Sequence, residues 1–278
     1  MRIAISNLAW DISNDEEIGK LLNTCEVDAI DVAPGKYFPN IKTASVSDVN
    51  RVRDWWASRG ITITGMQSLL FGTSGLNMFG DKETQESMLD QLDAVCRVGA
   101  GLGATRLVFG SPKNRDRSSF SDEQAHSISV SFFQHLGQIA DRYGIMFCLE
   151  PNPICYGSNF MTNCAETAKV VIAVNHPSIR MQFDTGALTI NDEDPDQVIA
   201  EFGSLIGHVH ASEPNLVVLG EGKTDHQKMA SALMKGLPEQ IVSIEMLTSQ
   251  NVHNIIAVEN ALKVAIRNYR ESSGQGSA

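Results

Sequence analysis

Four short apolar runs in the second half of the chain each end in a side chain that can ligate a metal or carry a proton. Glu150 closes Ile145-Met146-Phe147-Cys148-Leu149, and Asp184 closes Ile179-Arg180-Met181-Gln182-Phe183. His210 closes Ile206-Gly207-His208-Val209, and Glu245 closes Ile241-Val242-Ser243-Ile244. Runs this short and this rich in β-forming residues read as buried strands. A strand that ends in Glu, Asp or His sets a charge or a ligand at the rim of a core, and four in succession point to one shared site. Hard oxygen donors with one imidazole suit a divalent cation such as Mn²⁺, Mg²⁺ or Co²⁺, with Zn²⁺ as a further option. Asp184 and His210 read as ligands alone. Glu150 and Glu245 also read as an acid–base pair. They would take a proton from one carbon and return it to the neighbouring carbon or the other face, while the cation polarises the adjacent carbonyl and steadies the enediolate. Aldose–ketose isomerisation and ketose epimerisation need that chemistry. A lyase or dehydratase acting on a keto-sugar begins with the same step.

Further polar groups surround this set. His208 lies two residues before His210 and so points to the same face of its strand, one layer deeper. It reads as a substrate contact, a support for the ligands, or a satisfied core histidine. Lys113 and Arg115 follow the fourth strand and Lys36 follows the second. On such loops they could hold an anionic substrate group, or simply be solvated. Glu213, after the seventh strand, is placed to reach a substrate hydroxyl or the surroundings of a metal. Gln67, at the end of the third, could hydrogen-bond a sugar hydroxyl. Trp10, after the first, could give an apolar wall, although packing is the commoner use of a tryptophan.

These side chains need a frame that brings strand ends together. Strand-like runs lie at 2–6, 28–32, 62–67, 105–110, 145–150, 179–184, 206–210 and 241–245. Helical patterns fall between them, at about 15–24, 46–58, 83–101, 121–142, 164–174, 194–202, 225–236 and 252–270. Asp81 and Ser121 stand where helix caps are needed, and Gly60, Gly103 and Gly144 stand just past helix ends. Eight such βα units predict a single-domain (β/α)₈ TIM barrel over residues 1–270, with 271–278 as a disordered tail. A doubly wound open sheet is the alternative. Its usual glycine-rich loop after the first strand is missing from Ser6-Asn7-Leu8-Ala9-Trp10. In a barrel, sites form at the C-terminal ends of the strands, where all four residues lie.

Bulk properties narrow the partners. A formal net charge of −11 argues against nucleic-acid binding. No apolar run is long enough to span a membrane, and the N-terminus lacks the apolar stretch of a signal peptide. The five cysteines, an odd number with no C-x-x-C pair, read as thiols in a reducing, cytoplasmic compartment.

The motifs Leu149-Glu150-Pro151-Asn152-Pro153, Phe183-Asp184-Thr185-Gly186, His208-Val209-His210-Ala211-Ser212-Glu213-Pro214 and Ile244-Glu245 resemble the sugar phosphate isomerase/epimerase family of xylose isomerase-like barrels, and the resemblance runs over residues 1–270. It implies a Mn²⁺ or Co²⁺ site on Glu150, Asp184, His210 and Glu245, with the two glutamates as the acid–base pair. It also implies a small carbohydrate substrate and a homo-oligomer, dimer or tetramer. Two positions depart from the ketose 3-epimerases of this family. Ala187 replaces a histidine three residues after the aspartate, and Leu216 replaces an arginine six residues after the metal-binding histidine. Both contact substrate in those enzymes, so a different substrate is expected on an intact ligand set. The related endonuclease IV branch needs extra histidines at strands two and three, where this chain offers Asp31 and Gln67. A non-catalytic sugar-binding barrel is the remaining alternative.

Overall fold

The computed structural model describes residues 1–249 and 251–270, so the expected disordered tail, 271–278, lies outside the described residues. Eight strands alternate with helices: β1 (Ile3–Ser6), β2 (Ala29–Val32), β3 (Thr62–Met66), β4 (Arg106–Phe109), β5 (Met146–Leu149), β6 (Ile179–Asp184), β7 (Ile206–Ser212) and β8 (Val242–Glu245). They close in sequence order into a barrel of parallel strands. Strands covered on both faces carry near-continuous apolar runs rather than alternation. Every residue of β1, β2 and β7 is accordingly buried.

Between the strands lie α1 (Asp15–Thr24), α2 (Val46–Ala57), α3 (Lys82–Leu102), α4 (Asp122–Asp141) and α5 (Cys164–Val174). Then come α6 (Thr185–Asn191), α7 (Pro195–Phe202), α8 (His226–Gly236) and α9 (Asn254–Ala265). Their boundaries follow the side chains at their ends. Asp81 accepts the Thr84 N–H at 2.9 Å to open α3, and Gly103 closes it in the left-handed conformation at φ 87°. Ser121 and Gln124 form a reciprocal capping box on α4. Along α3, Met88, Leu92, Val95 and Leu102 recur on one face and are buried.

The residues group into two compact units. One comprises Met1–Val32, Asp54–Thr64 and the chain from Phe183 onward. In it β1 pairs with β2 (Ile5 opposite Ile30) and with β8 (Ile3 opposite Val242), and β7 pairs with β8 (His210 opposite Ser243). The other comprises Ala33–Arg53 and Gly65–Gln182. There β4 pairs with β3 and β5, and β5 with β6 (Leu149 opposite Met181).

Two elements differ from the sequence expectation. Residues 185–191, which lie between the strand read at 179–184 and the helix read at about 194–202, form α6 directly after β6. The last helix starts at Asn254 rather than 252 and widens into a π turn over Ile266–Arg270. Among the described residues, no cysteine is in a disulfide and no helix is long and apolar enough to cross a membrane.

Candidate functional site

β7 supplies the centre of the site. Its even residues His208, His210 and Ser212 share one face, because strand side chains alternate. His208 Nε2 lies 2.7 Å from Oδ2 of Asp31 on β2, and both side chains are wholly buried. The other Asp31 oxygen accepts the Thr64 hydroxyl at 2.9 Å. His210 stands between two acids. Its Nδ1 is 3.1 Å from Glu245 Oε2, and its Nε2 is 3.9 Å from Asp31 Oδ2. Burial alone would raise the Asp31 carboxyl, but the His208 imidazole, then His210 and the Ser243 hydroxyl, overcome that and hold it at about 2.

Asp184 is fixed from the other direction. Oδ1 accepts the Ala187 N–H at 2.7 Å, which makes Asp184 the N-cap of α6. The Ser212 hydroxyl lies 2.9 and 2.8 Å from its two oxygens and itself accepts the Gly186 N–H at 2.9 Å. Thr185 and Ser212 exchange hydrogen bonds, each at 2.8 Å, locking α6 to β7. One ligand atom from each of Asp184, His210 and Glu245 lies within 4.8 Å of the others, with Asp184 and His210 buried and Glu245 half-buried. At that separation two carboxylates repel by about 3 kcal/mol at an effective dielectric constant of about 20. A cation between them turns repulsion into attraction, and two hard oxygens with one imidazole are a donor set that a divalent ion takes. The residues therefore fit a divalent metal.

Glu150 belongs to the second unit and follows β5 directly. It is half-buried, and its backbone is held on both sides. Its N–H donates to Phe109 O at 3.1 Å, and its carbonyl accepts Arg115 Nη1 at 2.7 Å. Arg115 is fully buried, and its Nη2 donates to Gly110 O at 3.1 Å. Burial pulls this guanidinium down to about 10 against the opposing pull of Glu150, so it stays charged at neutral pH. Arg115 thus serves the protein's own backbone, whereas Lys113 on the same loop is exposed.

The remaining expected contacts are placed as follows. Both Glu213 oxygens are committed to the loop behind β7: Oε1 accepts the Gly220 N–H at 2.9 Å and faces His226 Nε2 at 3.0 Å, and Oε2 accepts the Thr224 N–H at 2.9 Å. His226 Nδ1 continues to the Tyr269 hydroxyl at 2.7 Å. Burial opposes ionisation of Glu213, but His226 and Thr224 outweigh it and hold the carboxyl at about 2. Trp10 is wholly buried, donates Nε1–H to Asp15 at 2.7 Å and meets Trp56 edge-on, which is packing. Gln67 is buried at the end of β3, and Lys36 is half-buried on the turn after β2. Of the two departing positions, Ala187 is buried on α6, and Leu216 takes a left-handed backbone at φ 52°.

Asp31 and Ser212 are the contributors that sequence reasoning did not assign. The signal for Asp31 was an acid inside the apolar run Ala29-Ile30-Asp31-Val32, and that for Ser212 was its place two residues beyond His210 on the same strand face.

Residues 20–271 match the xylose isomerase-like TIM barrel family, and the chain belongs to it. A stretch of 106 residues is 29% identical to D-psicose 3-epimerase of Ruminiclostridium cellulolyticum, covering 38% of this chain and 36% of that protein. The chain thus matches little more than a third of that curated relative's length. In three dimensions it is similar to D-psicose 3-epimerase with D-tagatose from Clostridium cellulolyticum H10, with a TM-score of 0.79 and 18% identity over 97% of this chain and 98% of that one. It is also similar to 3-keto-D-glucoside 4-epimerase from E. coli, with a TM-score of 0.76 and 18% identity over 95% and 98%. The IOLI protein with a binding zinc atom gives a TM-score of 0.75 and 17% identity over 97% and 98%. At such identities the structural likeness establishes the fold.

Proposed function

We propose that the protein is a divalent-metal-dependent sugar isomerase or epimerase, with Glu150, Asp184, His210 and Glu245 as ligands and the two glutamates as its acid–base pair. One observation carries this reading: one ligand atom from each of Asp184, His210 and Glu245 lies within 4.8 Å of the others, and Glu150 is the further acid that follows a barrel strand directly. Mn²⁺ is the proposed ion, and the zinc atom of the IOLI protein supports a metal of this charge. When bound, the cation supplies Lewis-acid polarisation of a substrate carbonyl.

The chain's residues do the rest. The hydroxyl of Ser212 and the N–H of Ala187 hold the Asp184 carboxylate in one orientation. The hydrogen-bonded Asp31–His208 pair packs behind His210, whose ring meets that of His208 edge-on with centroids 5.2 Å apart. The carboxylates of Glu150 and Glu245 exchange protons with the substrate, one removing a proton beside the carbonyl and the other delivering one to the enediolate. A keto-sugar or ketose substrate is supported by the epimerase relatives. Ala187 and Leu216, in place of polar contacts, favour a substrate other than a free ketose of the psicose type. Gln67, Lys36 and Lys113 are the proposed polar groups nearest to the strand ends for such a molecule.

The test is solvent-deuterium incorporation into a panel of ketoses and keto-glycosides, with and without phosphate, using Mn²⁺-loaded protein. Deuterium exchange with isomer formation is expected, and Glu150→Gln should abolish it. Release of water or a leaving group without any isomer would replace the reading with a lyase. No exchange over the panel, together with no Mn²⁺ binding that Asp184→Asn removes, would overturn it.

A further inference from the structure

Arg115 is a fully buried cation that donates to two backbone carbonyls, those of Glu150 at 2.7 Å and Gly110 at 3.1 Å. Burying a guanidinium costs several kcal/mol unless a nearby charge compensates. Here the guanidinium is held at the carbonyl of Glu150 itself, which fixes the backbone of that residue.

The neighbouring atoms fix Glu150 just as tightly. Asn152 Nδ2 donates to the same Gly110 carbonyl at 2.7 Å and lies 3.5 Å from Glu150 Oε2. The Glu150 carboxylate lies directly over the backbone of residue 110. A Cβ added to Gly110 would fall 2.0 Å from Oε2 and 3.0 Å from Cδ, so the carboxylate would have to move away. The path of the Glu150 side chain therefore depends on the missing Cβ, and its backbone depends on the guanidinium.

We propose that Arg115, with Gly110 and Asn152, is a positioning residue that clamps the loops after β4 and β5 and aims the Glu150 carboxylate, rather than a group that binds substrate. The inference rests on the reading of Glu150 as a metal ligand, and its structural half can be tested without metal. The variants are Arg115→Met, Arg115→Lys and Gly110→Ala, with Ser119→Ala as the exposed control on the same loop. Two measurements are made: the position of the Glu150 carboxylate in metal-free crystals, and the Kd for Mn²⁺ by calorimetry on the full chain.

In Arg115→Met and in Gly110→Ala, Glu150 should be displaced and Mn²⁺ should bind at least about tenfold more weakly. Arg115→Lys should recover part of the affinity, and Ser119→Ala should match wild type. Gly110→Ala keeps the Arg115 hydrogen bonds and reads the glycine's part alone; if Arg115→Met fails to fold, Arg115→Lys reads the guanidinium's part by the same two measurements. A role confined to loop stability would lower the melting temperature and leave both the Glu150 position and the Kd unchanged. That result overturns the proposal. If wild type takes up no Mn²⁺, or Glu150→Gln leaves the Kd unchanged, the metal reading has failed. The displacement of Glu150 in the metal-free crystals then decides the clamp by itself.

Discussion

At the scale of single residues, the site depends on acids whose charge is settled by a specific partner. Asp31 is the clearest case, since it is buried, bonded to His208 and Thr64, and held ionised at about 2. Removing one partner of a buried charged pair typically costs 3–5 kcal/mol, because the other is left uncompensated. Asp31→Asn keeps the shape and loses the charge. We expect it to lower stability by about 2 kcal/mol in urea titration and to weaken Mn²⁺ binding about tenfold or more by calorimetry, through the freed His210 ring. The four strand-end residues were legible in sequence because each follows an apolar run, and that pattern alone marks a charge at a core rim. Asp31 was less legible because a valine follows it, so it looked like an acid inside a strand. The role of His208 could not be read until Asp31 stood 2.7 Å away. Arg115 shows the opposite failure. Its side-chain type suggested an anion site, while only burial reveals that its hydrogen bonds serve backbone carbonyls.

At the scale of elements, α6 ties helix geometry to ligand geometry. Its sequence, Thr185-Gly186-Ala187-Leu188-Thr189-Ile190-Asn191, contains a glycine and three β-branched residues, a weak helix former that propensity reads as loop. Tertiary contacts reverse that preference: the Asp184 cap, the Ser212 hydroxyl on Gly186 N–H, and the Thr185 exchange with Ser212. Two variants of Asp184 should therefore part company. Asparagine caps as well as aspartate, so Asp184→Asn should keep thermal stability within about 0.5 kcal/mol while losing Mn²⁺ binding. Asp184→Ala should lose both, with a stability loss of about 1–2 kcal/mol. Equal stability losses in the two variants would show that the cap does not hold this helix. The loop between β7 and α8 gives a pH prediction. The Glu213 carboxyl is depressed from its ordinary 4.5 to about 2, so its stabilisation is complete above pH 4.5 and fades as pH falls toward 2. Amide exchange at Gly220 and Thr224 should accelerate across that window relative to the rest of the protein, and Glu213→Gln should remove the pH dependence.

For the whole molecule, sequence patterning went furthest. Eight apolar runs alternating with helical periods leave few alternatives, because parallel neighbours need crossovers and a twisted sheet of eight strands covered by helices closes readily. That closure turns strand-end residues far apart in sequence into candidates for one site, which is why the barrel and a candidate site could be read together. Substrate identity was not, because it lies in loops whose side chains adapt to one molecule. Ala187 and Leu216 say what has gone from those loops, not what replaced it. The proposed ligand set makes a prediction about the molecule as a whole. The proposed cation would bind side chains that only the folded chain brings together, and has no counterpart in the unfolded one. Its binding therefore adds RT ln(1 + [L]/Kd) to stability, about 2.7 kcal/mol at a hundredfold excess over Kd. For a chain of this size that corresponds to a rise in Tm of about 5–10 °C. Adding Mn²⁺ to chelator-stripped protein should raise the Tm by that amount, and EDTA should return it. In Glu245→Gln the shift should shrink severalfold while the metal-free Tm stays near wild type, since removing one carboxylate relieves repulsion in the empty site. A metal-independent Tm in wild type, measured by calorimetry at saturating Mn²⁺, would mean that these side chains hold no cation and that the buried acids beside His210 serve some other charge.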